Sequence, residues 1–150
     1  MPDSVRQQII NAFKTRLGTV LIAGGYETDL GSNVFEWKTA EWQESEMPGV
    51  DVRDPSEAGV IRGGDHEFAL SIELEVKVTG TTSPSQVRDI IGDIITAIGT
   101  DPGFGGLVQG FEPVQNPSMG FDQKDKTFGS ILLNFDLRYL TKAFTPFETA

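Results

Sequence analysis

Two periods of apolar residues run along this chain, and the places where they switch mark its elements. From Ser4 to Leu17 the apolar positions Val5, Ile9, Ile10, Phe13 and Leu17 recur near every 3.6 residues, which predicts an amphipathic helix. Ser4 with Gln7 reads as a capping box at its start, and Gly18 stands where the helix would stop. Thr19 to Ile22 is a short apolar continuation, followed by an ordered loop to Ser32. Two short strands come next. Phe35 and Trp37 alternate with Glu36 and Lys38 over 33–38, and Val50 and Val52 with Asp51 and Arg53 over 49–54. Between them lies an acidic stretch, Glu41 to Met47, closed by the turn signal Pro48-Gly49.

The clearest alternation is over 66–79, where Phe68, Leu70, Ile72, Leu74, Val76 and Val78 take the even positions and mostly polar residues the odd ones. One apolar face and one polar face argue for an antiparallel sheet, since a parallel strand covered on both faces would be apolar throughout. Ser83-Pro84-Ser85-Gln86 opens a second helix with an N-cap, Pro at the first turn and a capping box. Its stripe is Val87, Ile90, Ile91, Ile94, Ile95 and Ile98, and Gly99 ends it. Residues 100–106 read as loop, Leu107 to Phe111 as a weak strand, and Pro113 to Lys126 as a long polar turn. The last strand, 128–140, aligns Ile131, Leu133, Phe135, Leu137 and Tyr139 on one face.

The expected order is thus α-β-β-β-α-β-β. It implies an α+β fold: a two-layer sandwich with a mainly antiparallel sheet of about five strands and two helices packed on one face. Residues 1–142 are expected to form a single domain, with 143–150 a tail that is flexible or interface-forming, and 55–65 a loop.

Composition narrows the chemistry. The 150 residues include no Cys and one His, which removes disulfides, thiolate nucleophiles and Cys/His zinc sites. The N-terminus has no basic stretch leading into an apolar run, so no signal peptide is expected, and no segment approaches the length of a membrane span. With 22 acidic against 12 basic residues, the net charge of −10 disfavours a phosphate-binding surface. His66 beside Asp65 and Glu67 is a general-base arrangement in principle, but a polar residue at the entrance of a strand is the better account of it. Glu73/Glu75 and Asp51/Asp54 are carboxylate pairs, and a solvated sheet face accounts for the first of them. Asp122 to Asp125 fails the calcium-loop pattern, and none of the Gly-Gly pairs continues into a phosphate-cradling Lys-Ser/Thr. No catalytic, cofactor or metal site is expected. Contact chemistry has more to build on: Trp37, Trp42, Phe104, Phe144 and Phe147 fall in short strands, loops or the terminus, where aromatic side chains can anchor a partner or complete a small core.

Gly25-Tyr26-Glu27-Thr28-Asp29-Leu30-Gly31, Val34-Phe35-Glu36-Trp37, Met47-Pro48-Gly49 before a strand ending Arg53-Asp54, and His66-Glu67 opening the alternating strand form an ordered set. Thr82-Ser83-Pro84 and Ala97-Ile98-Gly99-Thr100-Asp101-Pro102 complete it. In this order and spacing the chain resembles the tail terminator, or tail completion, proteins of long-tailed bacteriophages, over about residues 4–140. Phe104 stands where a Trp would be expected. The resemblance implies a non-enzymatic virion protein, assembled in the host cytoplasm, that forms a homo-hexameric ring on the head-proximal end of the tail tube. Such a ring stops polymerisation and presents the head-joining surface. The implied partners are other copies of the chain, the major tail tube protein and the head–tail connector or neck proteins, with DNA passing through and no membrane. The five aromatics are then candidate inter-subunit or tube contacts, and Glu67, Glu73 and Glu75 a candidate acidic lumen face. Another neck or joining protein of similar build, or a small phage hydrolase, are the alternatives.

Overall fold

A computed structural model describes residues 2–111, 115–121 and 128–150, with only the backbone described at 111, 115–121 and 128. The first helix, α1, spans Val5–Gly18. Ser4 caps it, its Oγ accepting from the Gln7 amide at 3.2 Å. The reciprocal half of the expected box is absent, because the Gln7 side chain turns forward to Asn11. The second helix, α2, spans Pro84–Gly99 and carries the full box: Ser83 Oγ accepts from the Gln86 amide, and Gln86 Oε1 accepts from the Ser83 amide at 2.8 Å. Both apolar stripes are buried, except that on α2 Ile91 is half-buried and Ile95, at the outer edge, is 48% exposed.

The strands are β1 (Val34–Glu36), β2 (Gly49–Arg62), β3 (Asp65–Thr79), β4 (Gly110–Phe111), β5 (Gln115–Phe121), β6 (Phe128–Lys142) and β7 (Thr145–Thr149). They form one mixed sheet along the path β1-β2-β3-β6-β4, with β5 and β7 also paired to β6. Only β1 and β2 run parallel; every other pairing is antiparallel. One edge of β6 is taken by β3 along its whole length, and the other is shared by β5, β4 and β7 in turn. Cross-strand pairs such as Leu74–Leu133, Ile72–Phe135 and Leu70–Leu137 put the alternating apolar residues of β3 and β6 on one face. That face and the two helical stripes share a single core. The chain is an α+β protein, as its periodicities imply.

Two segments expected as loop or turn hold strands instead, and the expected tail carries a short one. Residues 55–62 continue β2, because the Asp65–Ser71 half of β3 supplies a ladder that overrides the loop signals Pro55 and Gly59. Arg62 and Asp65 then close a two-residue Gly63-Gly64 turn, with Gly63 in the left-handed region at φ 63°. Within the expected turn 113–126, residues 115–121 form β5 on the free edge of β6, while 112–114 and 122–127 lie outside the described residues. The tail 143–150 holds β7, tied back by pairs Lys142–Thr145 and Thr141–Thr149.

A bulge in β2 has the largest consequence. Two residues, Asp54 and Pro55, intervene between the pairs Arg53–Glu73 and Ser56–Ser71, where a regular ladder would have one. Val50 and Val52 face the core before it; beyond it the parity reverses, and Glu57 stands opposite Leu70 on the same side.

Candidate interaction surface

The reversed parity gathers a polar cluster where the N-terminal turn of α1 meets the sheet. Arg6 donates Nε to Asp54 Oδ2 at 2.7 Å, Nη2 to the Asp54 carbonyl at 2.9 Å and Nη1 to Glu57 Oε2 at 3.2 Å. Glu57 also accepts from the Tyr139 hydroxyl, and Asp54 Oδ1 from Trp37 Nε1 at 2.7 Å. Burial pulls the Arg6 guanidinium down, but the Asp54 hydrogen bond and both carboxylate charges outweigh it and hold it above its ordinary value. Burial and the Glu57 hydrogen bond together push the Tyr139 hydroxyl far up, so it remains a donor at any ordinary pH. Each of these side chains has a partner within the cluster, which clamps α1, β2 and β6 together.

The five aromatics separate by environment. Phe104 is buried, stacked on Phe13 with centroids 4.6 Å apart and covered by the Arg16 guanidinium at 4.4 Å. It completes the core of its own chain, which corrects its placement among surface anchors. Trp42 is half-buried, edge-on to Phe35 at 5.2 Å, with Lys38 Nζ over both rings. Beneath it, a Cβ on Gly49 would lie 2.7 Å from the Trp42 ring and 2.3 Å from the Glu46 carbonyl, so only glycine fits. Trp37 is 49% exposed, held by its bond to Asp54 at a left-handed φ of 45°. Phe144 is 85% exposed in the turn between β6 and β7, and Phe147 is exposed on β7.

The exposed ends of two hairpins lie side by side. Asp65 pairs with Lys142, and the Ala143 amide donates to the Gly64 carbonyl at 2.9 Å, tying the β2–β3 turn to the β6–β7 turn. Around this junction Val60, Ile61, Phe144 and Phe147 face solvent. They are four of the seven large apolar side chains the structure exposes among its described residues, and all four lie at this end of the sheet, Val60 and Ile61 on its opposite faces. Val60 and Ile61 escaped notice in the sequence because 55–65 reads as a loop.

On the polar face of β3, Glu73 and Glu75 converge on Arg53 Nη2 at 2.9 and 2.7 Å. Asp51 approaches Arg53 Nε at 3.7 Å, and Lys77 lies 3.5 Å from Glu75. Three carboxylates against two cations leave this patch negative but largely self-compensated. Glu67 is looser, 3.9 Å from Arg138. Asp51 also accepts from the Lys38 amide at 2.9 Å, and burial pushes its carboxyl up.

The loop that carries the Gly25–Gly31 motif is anchored from α2. The buried Asp93 carboxylate accepts from the Glu27 amide at 3.1 Å, the Thr28 amide at 2.9 Å and the Thr28 hydroxyl at 2.7 Å. The sequence offers no signal for this role, since Asp93 breaks the apolar stripe. His66 lies against Phe68 with ring centroids 3.9 Å apart. Among the described residues no group of three or more His, Asp or Glu side chains is placed to hold a metal ion, and no helix is long and apolar enough to cross a membrane. No protein-family model matches the chain, and no curated protein matches it.

Proposed function

We propose that this chain is a tail terminator: a ring-forming virion protein that caps the head-proximal end of a phage tail tube, ends its polymerisation and offers the surface that joins the head. The observation that supports it most is the paired hairpin ends, where Val60, Ile61, Phe144 and Phe147 leave apolar side chains exposed at one end of the sheet for a subunit contact. The ordered motifs of the sequence point the same way. In this reading the fold is a two-layer sandwich with both helices on one face, and the polar face of the sheet stays open to neighbours or to the lumen. A hexameric ring closes through two different patches on each subunit. Glu67, Glu73 and Glu75 line the passage for DNA, where residual negative charge repels phosphate and lets the strand slide. The partners are the tube protein below and a neck or connector protein above, and the chain performs no catalysis. Adding the purified protein to polymerising tube subunits tests this reading. Tubes that stop growing in proportion to added protein support it, and an unchanged length distribution contradicts it.

A further inference from the structure

We infer that copies of this chain join by sheet extension, the outer edge of β2 over Ser56–Arg62 pairing with β7 of the next copy. The inference rests on the ring reading and specifies its contact. Beyond the short β1, which pairs only with Val50–Val52, no strand among the described residues pairs with the outer edge of β2. That free stretch is exposed from Ala58 to Arg62, carries Val60 and Ile61, and has no lysine to deter pairing. On the far side of the same end of the sheet, no strand among the described residues pairs with the outer edge of β7, and Pro146–Thr149 are exposed. Locally the strands therefore run β2-β3-β6-β7, with no further strand on either side among the described residues.

The occupant follows from polarity. Each neighbour in that ribbon is antiparallel, so β2 and β7 point in opposite directions. A copy placed beside the first by rotation about an axis running along the strands keeps their direction, so its β7 lies antiparallel to β2 and the alternation continues unbroken across the boundary. The two edges differ, so the contact is head-to-tail and can close into a ring. Five residues of β7 lie within the seven-residue span of the free edge. Pro146 supplies no donor, leaving Phe147 to Thr149 to carry the ladder beside Val60 and Ile61.

Because the chain has no cysteine, introduced thiols report the contact cleanly. Phe147→Cys is combined with one cysteine at Ala58, Val60, Ile61 or Arg62 in turn, oxidised and run without reductant. Gly59 is avoided, since a Cβ there would lie 2.6 Å from His66. At least one pairing is expected to give a ladder of linked oligomers that collapses on reduction. Light scattering that shows assembly with no linked pair at any position overturns the inference and leaves the ring reading standing. Links from a β2 cysteine alone mean that like edges meet, which overturns it too. A chain that stays monomeric at millimolar concentration also overturns it, and the ring reading is then judged on assembled tails.

Discussion

Glu57 stands opposite Leu70, so a carboxylate occupies the buried side of the sheet. It is tolerated because Arg6 and Tyr139 meet it there, and it is there because two residues bulge at Asp54-Pro55. The clamp thereby joins the start of α1 to the middle of β2 and to β6, and it positions the hairpin whose end carries the exposed apolar cluster.

Replacing Arg6 by Met removes the cation from two carboxylates. A fully buried pair broken this way loses about 3–5 kcal/mol, but the Arg6 side chain is a third exposed, so about 1–2 kcal/mol is expected. Tyr139→Phe should cost about 1 kcal/mol by leaving Glu57 short of a donor. A double-mutant cycle in urea checks the account: the two losses should be non-additive, and simple additivity would separate the residues energetically.

Phe104 and Phe144 should behave oppositely. Phe104→Ala opens a cavity against Phe13 and should cost about 3–5 kcal/mol. Phe144→Asn should change stability by no more than about 0.5 kcal/mol, since the side chain is 85% exposed and asparagine suits its φ of 58°. Its effect should appear instead in light scattering, as weakened self-association.

Asp93→Ala leaves the Glu27 and Thr28 amides without their acceptor. A loss of about 1–3 kcal/mol is expected, with hydrogen exchange at these two amides rising far more than in the centre of β3. Equal acceleration everywhere would mean that Asp93 supports the fold globally and not the loop.

Asp51 gives a pH signature. Its carboxyl titrates above the unfolded value of 3.8, so the folded chain binds the proton more tightly. Its contribution to stability is therefore greatest at low pH and is lost as pH rises through the folded value. Asp51→Asn keeps an acceptor for the Lys38 amide without the charge. In thermal melts the variant should gain on the parent as pH rises from the unfolded value through the folded one, and then keep a constant advantage; a pH-independent offset would contradict this.

Glu67 offers the cleaner test of an acidic passage. Lysines at Glu73 and Glu75 would sit against Arg53 and Lys77 and weaken the fold, whereas Glu67 lies 3.9 Å from the exposed Arg138. Glu67→Lys should slow DNA ejection from particles whose tails still join; ejection at the parental rate would remove Glu67 from the passage.

Strong periodicity made much of the fold legible. The stripes of α1 and α2 and the alternation of β3 and β6 follow from residues whose burial decides their structure, such as Leu74 and Ile94. What was hidden depends on partners distant in sequence. Residues 55–62 hold strand geometry because β3 lies beside them, and β7 is tied to an edge of β6 that no local pattern reveals. Phe104 looked like a surface aromatic because glycines surround it, yet its ring closes on Phe13, 91 positions earlier. The clamp was unreadable for a similar reason: a one-residue change of parity turns Glu57 inward, and alternation read along 49–54 gives no sign of it.

The most direct measurement is electron microscopy of particles from a phage lacking this gene. The account predicts headless tail tubes longer than normal, because nothing caps the growing end. Tails of normal length that fail to attach to filled heads would contradict it and assign the chain to joining alone, and normal infectious particles would contradict any role in the tail.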